Sequence, residues 1–193
     1  MSRRVSAGLA GLFIALLVSS TPAFAQSGGI KGGFLYSTLK FDEASDVFDS
    51  HNGWTVGLFF GSKKDKAVGF QGELNLLQKG GDQTIGPVKL YYLQLPALVR
   101  FATGGSVRVY AITGVAFDIK VGESTPEAFD IVDEWSGIDI GFVGGGGVEF
   151  GFFLVEARGT WGLKNIASSV LSPFEGQSLK SNTFAIQAGF RFK

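Results

Sequence analysis

Lys31, Glu73, Arg100, Arg108, Asp118, Asp139, Glu149, Glu156, Arg158 and Arg191 each stand between two apolar or small neighbours. A charge spaced this way faces a surface that its neighbours avoid, and acids and bases occur here in equal number. Enclosed together they would form ion pairs, because a buried ion needs a partner. Glu73 with Arg100, and Glu156 or Asp139 with Arg158, are the pairs expected from strand proximity. Such a row could line a charged pathway through a pore. The simpler reading is a filled, hydrogen-bonded core that holds the chain rigid, a structural rather than catalytic network.

Other chemistry has little material. The chain has 193 residues, no cysteine and a single histidine, His51. Thiol nucleophiles, disulfides and thiolate metal sites are therefore absent. The run Asp42-Glu43-Ala44-Ser45-Asp46-Val47-Phe48-Asp49-Ser50-His51 could offer oxygens to a divalent cation. It lacks the EF-hand spacing and its central glycine, so it reads as a solvated acidic loop. A hydrolase would need His51 as base beside a serine and an orienting carboxylate. His51 falls on an expected mobile loop, and no motif places a serine. Gly144–Gly147 is followed by Val148-Glu149 rather than Gly-Lys-Ser/Thr, so it is not a phosphate loop. With 17 basic and 17 acidic side chains and no basic run, nucleic acid is not the partner. No cofactor and no metal is expected.

The elements that must position these charges have a period of two, the signature of strands. Eight segments follow: 30–40, 54–62, 68–78, 90–101, 107–118, 138–150, 153–163 and 183–192. Each is about ten residues, the length of a tilted membrane-spanning strand. One face of every segment is apolar, as in Trp54-x-Val56-x-Leu58-x-Phe60 and Phe184-x-Ile186-x-Ala188-x-Phe190-x-Phe192. The opposite face carries the charges and many of the 29 glycines. Leu35, Phe59, Leu98, Ile112 and Val143 share that second face and would obstruct water.

Two barrels fit this pattern. A soluble lipocalin-like barrel turns the apolar face inward around a ligand; an outer-membrane barrel turns it into lipid. Glycine favours the second, because a solvated face gains nothing from residues that weaken strands. A narrow eight-stranded interior needs small neighbours beside large charged side chains. Long intervals at 41–53, 79–89, 119–137 and 164–182 alternate with short ones near 63–67, 102–106 and 151–152, as extracellular loops alternate with periplasmic turns. Aromatic residues mark both rims: Phe60, Phe70, Phe101, Phe150, Phe153, Phe190 and Phe192 at one, Trp54, Tyr91, Phe117 and Trp161 at the other.

The N-terminus reads as an export signal. Arg3 and Arg4 precede the apolar or small run Val5–Val18, and Ala23-Phe24-Ala25 is a small-x-small cleavage pattern. The run falls short of the roughly 20 residues a spanning helix needs. Residues 1–25 are expected to be cleaved, leaving 26–193 as the barrel.

Several stretches carry a family resemblance: Gly29-Ile30-Lys31-Gly32-Gly33, Glu73-Leu74-Asn75-Leu76-Leu77-Gln78-Lys79-Gly80 and Tyr92-Leu93-Gln94-Leu95-Pro96-Ala97-Leu98. Asp139-Ile140-Gly141 with Gly145-Gly146-Gly147-Val148-Glu149, and Glu156-Ala157-Arg158 with Gly162-Leu163-Lys164-Asn165-Ile166, continue it. In order they resemble the small eight-stranded outer-membrane β-barrels of the PorT-like group, with an architecture similar to OmpX and OmpA. The resemblance implies outer-membrane lipid as surroundings and insertion by the β-barrel assembly machinery, but no one shared activity. The chain departs in ending Phe190-Arg191-Phe192-Lys193, where many such barrels finish on the aromatic itself. Pro96 has no N–H to give a ladder, so a bulge or a missing bond is expected there; the resemblance implies a proline at this place.

The expectation is an all-β, eight-stranded antiparallel up-and-down barrel, monomeric, in the bacterial outer membrane, with both termini periplasmic. Its role would be structural or one of surface interaction through loops 41–53, 79–89, 119–137 and 164–182. The alternatives are a small channel, then a lipid-modifying enzyme or a periplasmic lipocalin-like carrier.

Overall fold

Alternating side chains favour the extended backbone, and an extended chain that must satisfy its N–H and C=O groups away from water has to close into a barrel. The computed structural model describes residues 27–41, 49–82, 88–124, 132–135, 138–163, 167–170 and 179–192. Its strands are β1 (Ser27–Phe41), β2 (Asp49–Gly61), β3 (Val68–Asp82), β4 (Val88–Ala102) and β5 (Val107–Ser124). They continue with β6 (Val132–Trp135), β7 (Ile138–Phe150), β8 (Phe153–Gly162), β9 (Ala167–Val170) and β10 (Leu179–Phe192). The closed barrel runs β1-β10-β8-β7-β5-β4-β3-β2, every neighbour antiparallel. First and last strands seal it through an uninterrupted register from Gly28↔Phe192 to Phe41↔Leu179. All eight expected segments are barrel strands, and their ends match the alternation at the short-turn side.

At that side three tight connections close the hairpins. Ser62 and Thr103 act alike: each hydroxyl accepts the N–H of the returning strand, Phe70 at 3.0 Å and Val109 at 3.0 Å. Each residue's own N–H donates back, to the Phe70 and Val109 carbonyls. The β7–β8 turn has only Gly151-Phe152, with Gly151 at φ 59°, a left-handed conformation that glycine adopts without a Cβ clash.

The other end differs from expectation. Strand pairing runs on into the intervals expected as loops: Lys40↔Lys180, Asp49↔Asp82 and Lys89↔Ser124 are all paired. His51 lies in β2 opposite Ser37, not in a loop. Residues 42–48, most of the acidic run, lie outside the described residues. Within 119–137 and 164–182, β6 and β9 pair with each other, Val132↔Val170 to Trp135↔Ala167. The two intervals thus hold one another in a second, two-stranded sheet. Beyond the lipid no alternation of polarity is required, so parity carried no signal for these strand ends.

The barrel wall is inverted relative to a water-soluble protein. Phe34 is 84% exposed and Phe70 68%, with Leu58, Val155, Phe184 and Ile186 also exposed, while Glu149 is 0% exposed and Glu73 2%. An apolar band right round the outside with charge inside is the arrangement for lipid, and it removes the soluble carrier. At Pro96 the β3–β4 register omits the Glu73/Pro96 and Leu74/Leu95 pairs between Gly72↔Ala97 and Asn75↔Gln94. The β4–β5 side is continuous through Pro96↔Ala116. The missing donor therefore interrupts one ladder only.

Candidate functional site: the charged interior

Parity delivers all ten expected charges, Lys31, Glu73, Arg100, Arg108, Asp118, Asp139, Glu149, Glu156, Arg158 and Arg191, to the lumen. All are buried except Arg108, which is half-buried. Register then sorts them into three levels.

The middle level crosses the barrel from β1 and β3 to β8. Lys31 Nζ lies 2.7 Å from Glu73 Oε1 and 3.0 Å from Glu156 Oε1. Arg158 donates Nη1 and Nη2 to the two Glu73 oxygens, each at 2.8 Å, and Nε to Glu156 Oε1 at 2.7 Å. Gln71 and Asn75 also donate to Glu73, at 2.7 and 2.9 Å, and Tyr110 donates its hydroxyl to Glu156 Oε2 at 3.0 Å. Two acids and two bases balance, and both carboxylates are filled with donors. A carboxylate so occupied is an anchor rather than a base for a substrate proton.

Near the short turns, Glu149 gathers cations. Arg100 Nη2 is 2.7 Å from its Oε2; Arg191 Nε and Lys64 Nζ are 3.1 and 3.3 Å from its Oε1. Arg108 donates to the Lys64 carbonyl at 2.8 Å, and Lys64 in turn donates to the Gly151 carbonyl. Rings support the guanidinium groups: Arg100 lies 4.4 Å from the Tyr110 centroid and Arg191 4.8 Å from that of Phe59. Toward the opposite end, Lys79 donates to Asp118 and lies 3.7 Å from Asp139.

Two expected pairs do not form. Arg100 opposes Gly69, four residues down β3 from Glu73, which is about 13 Å at the rise of a strand; it meets Glu149 instead. Arg158 opposes Gly145, whereas Asp139 lies six residues further along β7, about 20 Å away, and meets Lys79. Lys79 itself was missed because the third segment was ended at 78, although it continues the inward parity of Glu73, Asn75 and Leu77. Tyr110 shares the parity of Arg108 and Ile112 and could have been found the same way. Lys64 sits on a turn, where parity says nothing.

Space around these side chains is made by glycine. A Cβ on Gly147 would stand 2.7 Å from the Tyr110 hydroxyl, and one on Gly189 2.7 Å from Lys31 Cβ. Apolar side chains fill part of the remaining lumen: Leu98, Tyr110, Ile112, Ala116 and Val143 pack as one buried cluster on the β4, β5 and β7 wall, and Leu35 and Phe59 are buried elsewhere, alongside buried polar side chains such as Thr55, Gln94 and Gln187. Gly144–Gly147 lies inside β7, paired on both sides. Among the described residues no group of His, Cys, Asp and Glu side chains gathers as a metal site.

Comparison with known proteins agrees with this architecture. A family described as outer membrane protein beta-barrel domain matches residues 24–168. The outer membrane protein OprG of Pseudomonas aeruginosa is 16% identical, over 88% of this chain and 97% of its own, with a TM-score of 0.51. Neisserial surface protein A is 13% identical, over 86% and 97%, with a TM-score of 0.52. At such identity these structures share the fold. No curated protein matches the sequence.

Proposed function

The chain belongs to the outer membrane protein β-barrel family and resides in the bacterial outer membrane, and from that premise we propose that it is a closed, non-enzymatic scaffold presenting its outer loops for surface interaction. One observation carries the reading: the shared Lys31–Glu73–Arg158–Glu156 network, whose side chains are at most 4% exposed, lies across the lumen. An eight-stranded lumen has room for side chains and little else, and the apolar cluster beside the network fills much of it. The β6–β9 pairing gives the loops at the far end a shared framework, suited to a contact surface at 119–137 and 164–182. Surface ligands, outer-membrane lipid and the assembly machinery are the partners of this reading, and it acts as a monomer. Residues 1–25 act as the cleaved signal, so the intact mass of protein extracted from outer membranes will correspond to a chain starting at Gln26. Planar bilayers test the closure: the purified barrel will give no stable unitary current steps at any salt or voltage. Reproducible steps would replace the scaffold with a small channel.

A further inference from the structure

Among the described residues, the short-turn end of the lumen holds more buried positive charge than the carboxylates around it neutralise. Arg100 and Arg191 are 6% and 7% exposed and share one carboxylate, Glu149, which Lys64 also approaches. At the middle level, by contrast, two bases face two acids. Guanidinium groups cannot shed their protons to relieve the imbalance. Hydrogen bonding is incomplete at the same place. Among the described residues Arg100 Nε finds no acceptor, and Arg191 Nε sits 3.1 Å from Glu149 Oε1 without hydrogen-bond geometry. A buried donor left this way has given up its hydration without a replacement acceptor. Both arginines line a cavity of about 10 Å³, with Lys63, Lys66, Ser62 and Gln71 also at its walls.

We propose that this cavity is a binding site for a small anion of halide size, held between Arg100 and Arg191. The space admits one water-sized occupant. Water would accept from the unpaired N–H groups but would leave the charge uncompensated; a halide does both. Lys63 and Lys66, exposed on the turn, make the approach positive and draw anions from the solution at that end. The pocket opens toward the exposed Lys63 and Lys66, and its small inner space favours a monatomic anion over a phosphate or carboxylate group.

The experiment uses the full barrel folded in uncharged maltoside micelles, where no lipid phosphate is present. Urea unfolding is followed in sodium chloride, sodium bromide and sodium gluconate at equal ionic strength. Chloride and bromide should raise the midpoint saturably, gluconate should not, and R191Q should lose the saturable part. Equal curves in all three salts, or a halide effect retained in R191Q, would overturn the site. Stabilisation that appears only when phosphatidylglycerol is added would overturn it too, by assigning the charge to a lipid phosphate. Should R191Q fail to fold, crystals of the unaltered protein soaked in bromide decide the matter. An anomalous peak between Arg100 and Arg191 supports the site, and its absence removes it.

Discussion

Glu73 shows what a charge costs and returns inside this barrel. On a wet surface an ion pair contributes under about 1 kcal/mol; here the carboxylate is fully desolvated and accepts from Lys31, Gln71, Asn75 and Arg158. Removing one member therefore matters more than the pair's net worth, because the partners stay buried. In Glu73→Ala, Lys31 and Arg158 would be left sharing Glu156 alone. The variant should lose about 3–5 kcal/mol, read as a lower urea midpoint for the folded band in detergent micelles. An unchanged midpoint would mean that the network does not carry the interior. Which residues lie inside was legible in the sequence, since period two assigns every strand position a side. Their partners were not, because parity holds no information about height along the barrel. Height is set by turn length, by strand offset and by the register shifts at Ser50/Thr55 and Tyr91/Tyr92. Arg100 is the clear case: correctly placed inside, wrongly paired with Glu73.

At the scale of elements, the lipid-embedded strand segments were readable and their continuations were not. Val107–Asp118 alternates because one face meets lipid and the other meets charge; Ile119–Ser124 extends the same strand with no lipid to impose a pattern. The β6–β9 sheet was invisible for a related reason. Two four-residue strands from separate loops have no turn between them, and neither alternates strongly. Their pairing makes a direct prediction. Antiparallel partners lie about 4.5–5.5 Å apart at Cα, within disulfide range, and the chain has no cysteine of its own. Val132→Cys with Val170→Cys should cross-link on oxidation in intact cells, giving a shift on non-reducing gels that either single variant lacks. Failure to cross-link, with both thiols still reactive to an external reagent, would show that the two loops do not meet. The Pro96 gap, by contrast, follows from one covalent fact, the absent N–H, and was legible from that residue alone.

For the whole molecule the governing feature is inversion: apolar side chains outward all the way round, charge and glycine inward. Family membership and the closed eight-stranded sheet agree with it, and the closed-scaffold function follows only if it holds. Paramagnetic broadening of methyl resonances by lipids spin-labelled on the acyl chain, with the barrel in a bilayer nanodisc, tests it most directly. The methyls of Val56, Leu58, Val155 and Ile186 should broaden strongly, and those of Leu35, Ile112, Val143 and Leu154 should stay sharp. Broadening of the second set with the first set sharp would contradict the account and turn the barrel inside out.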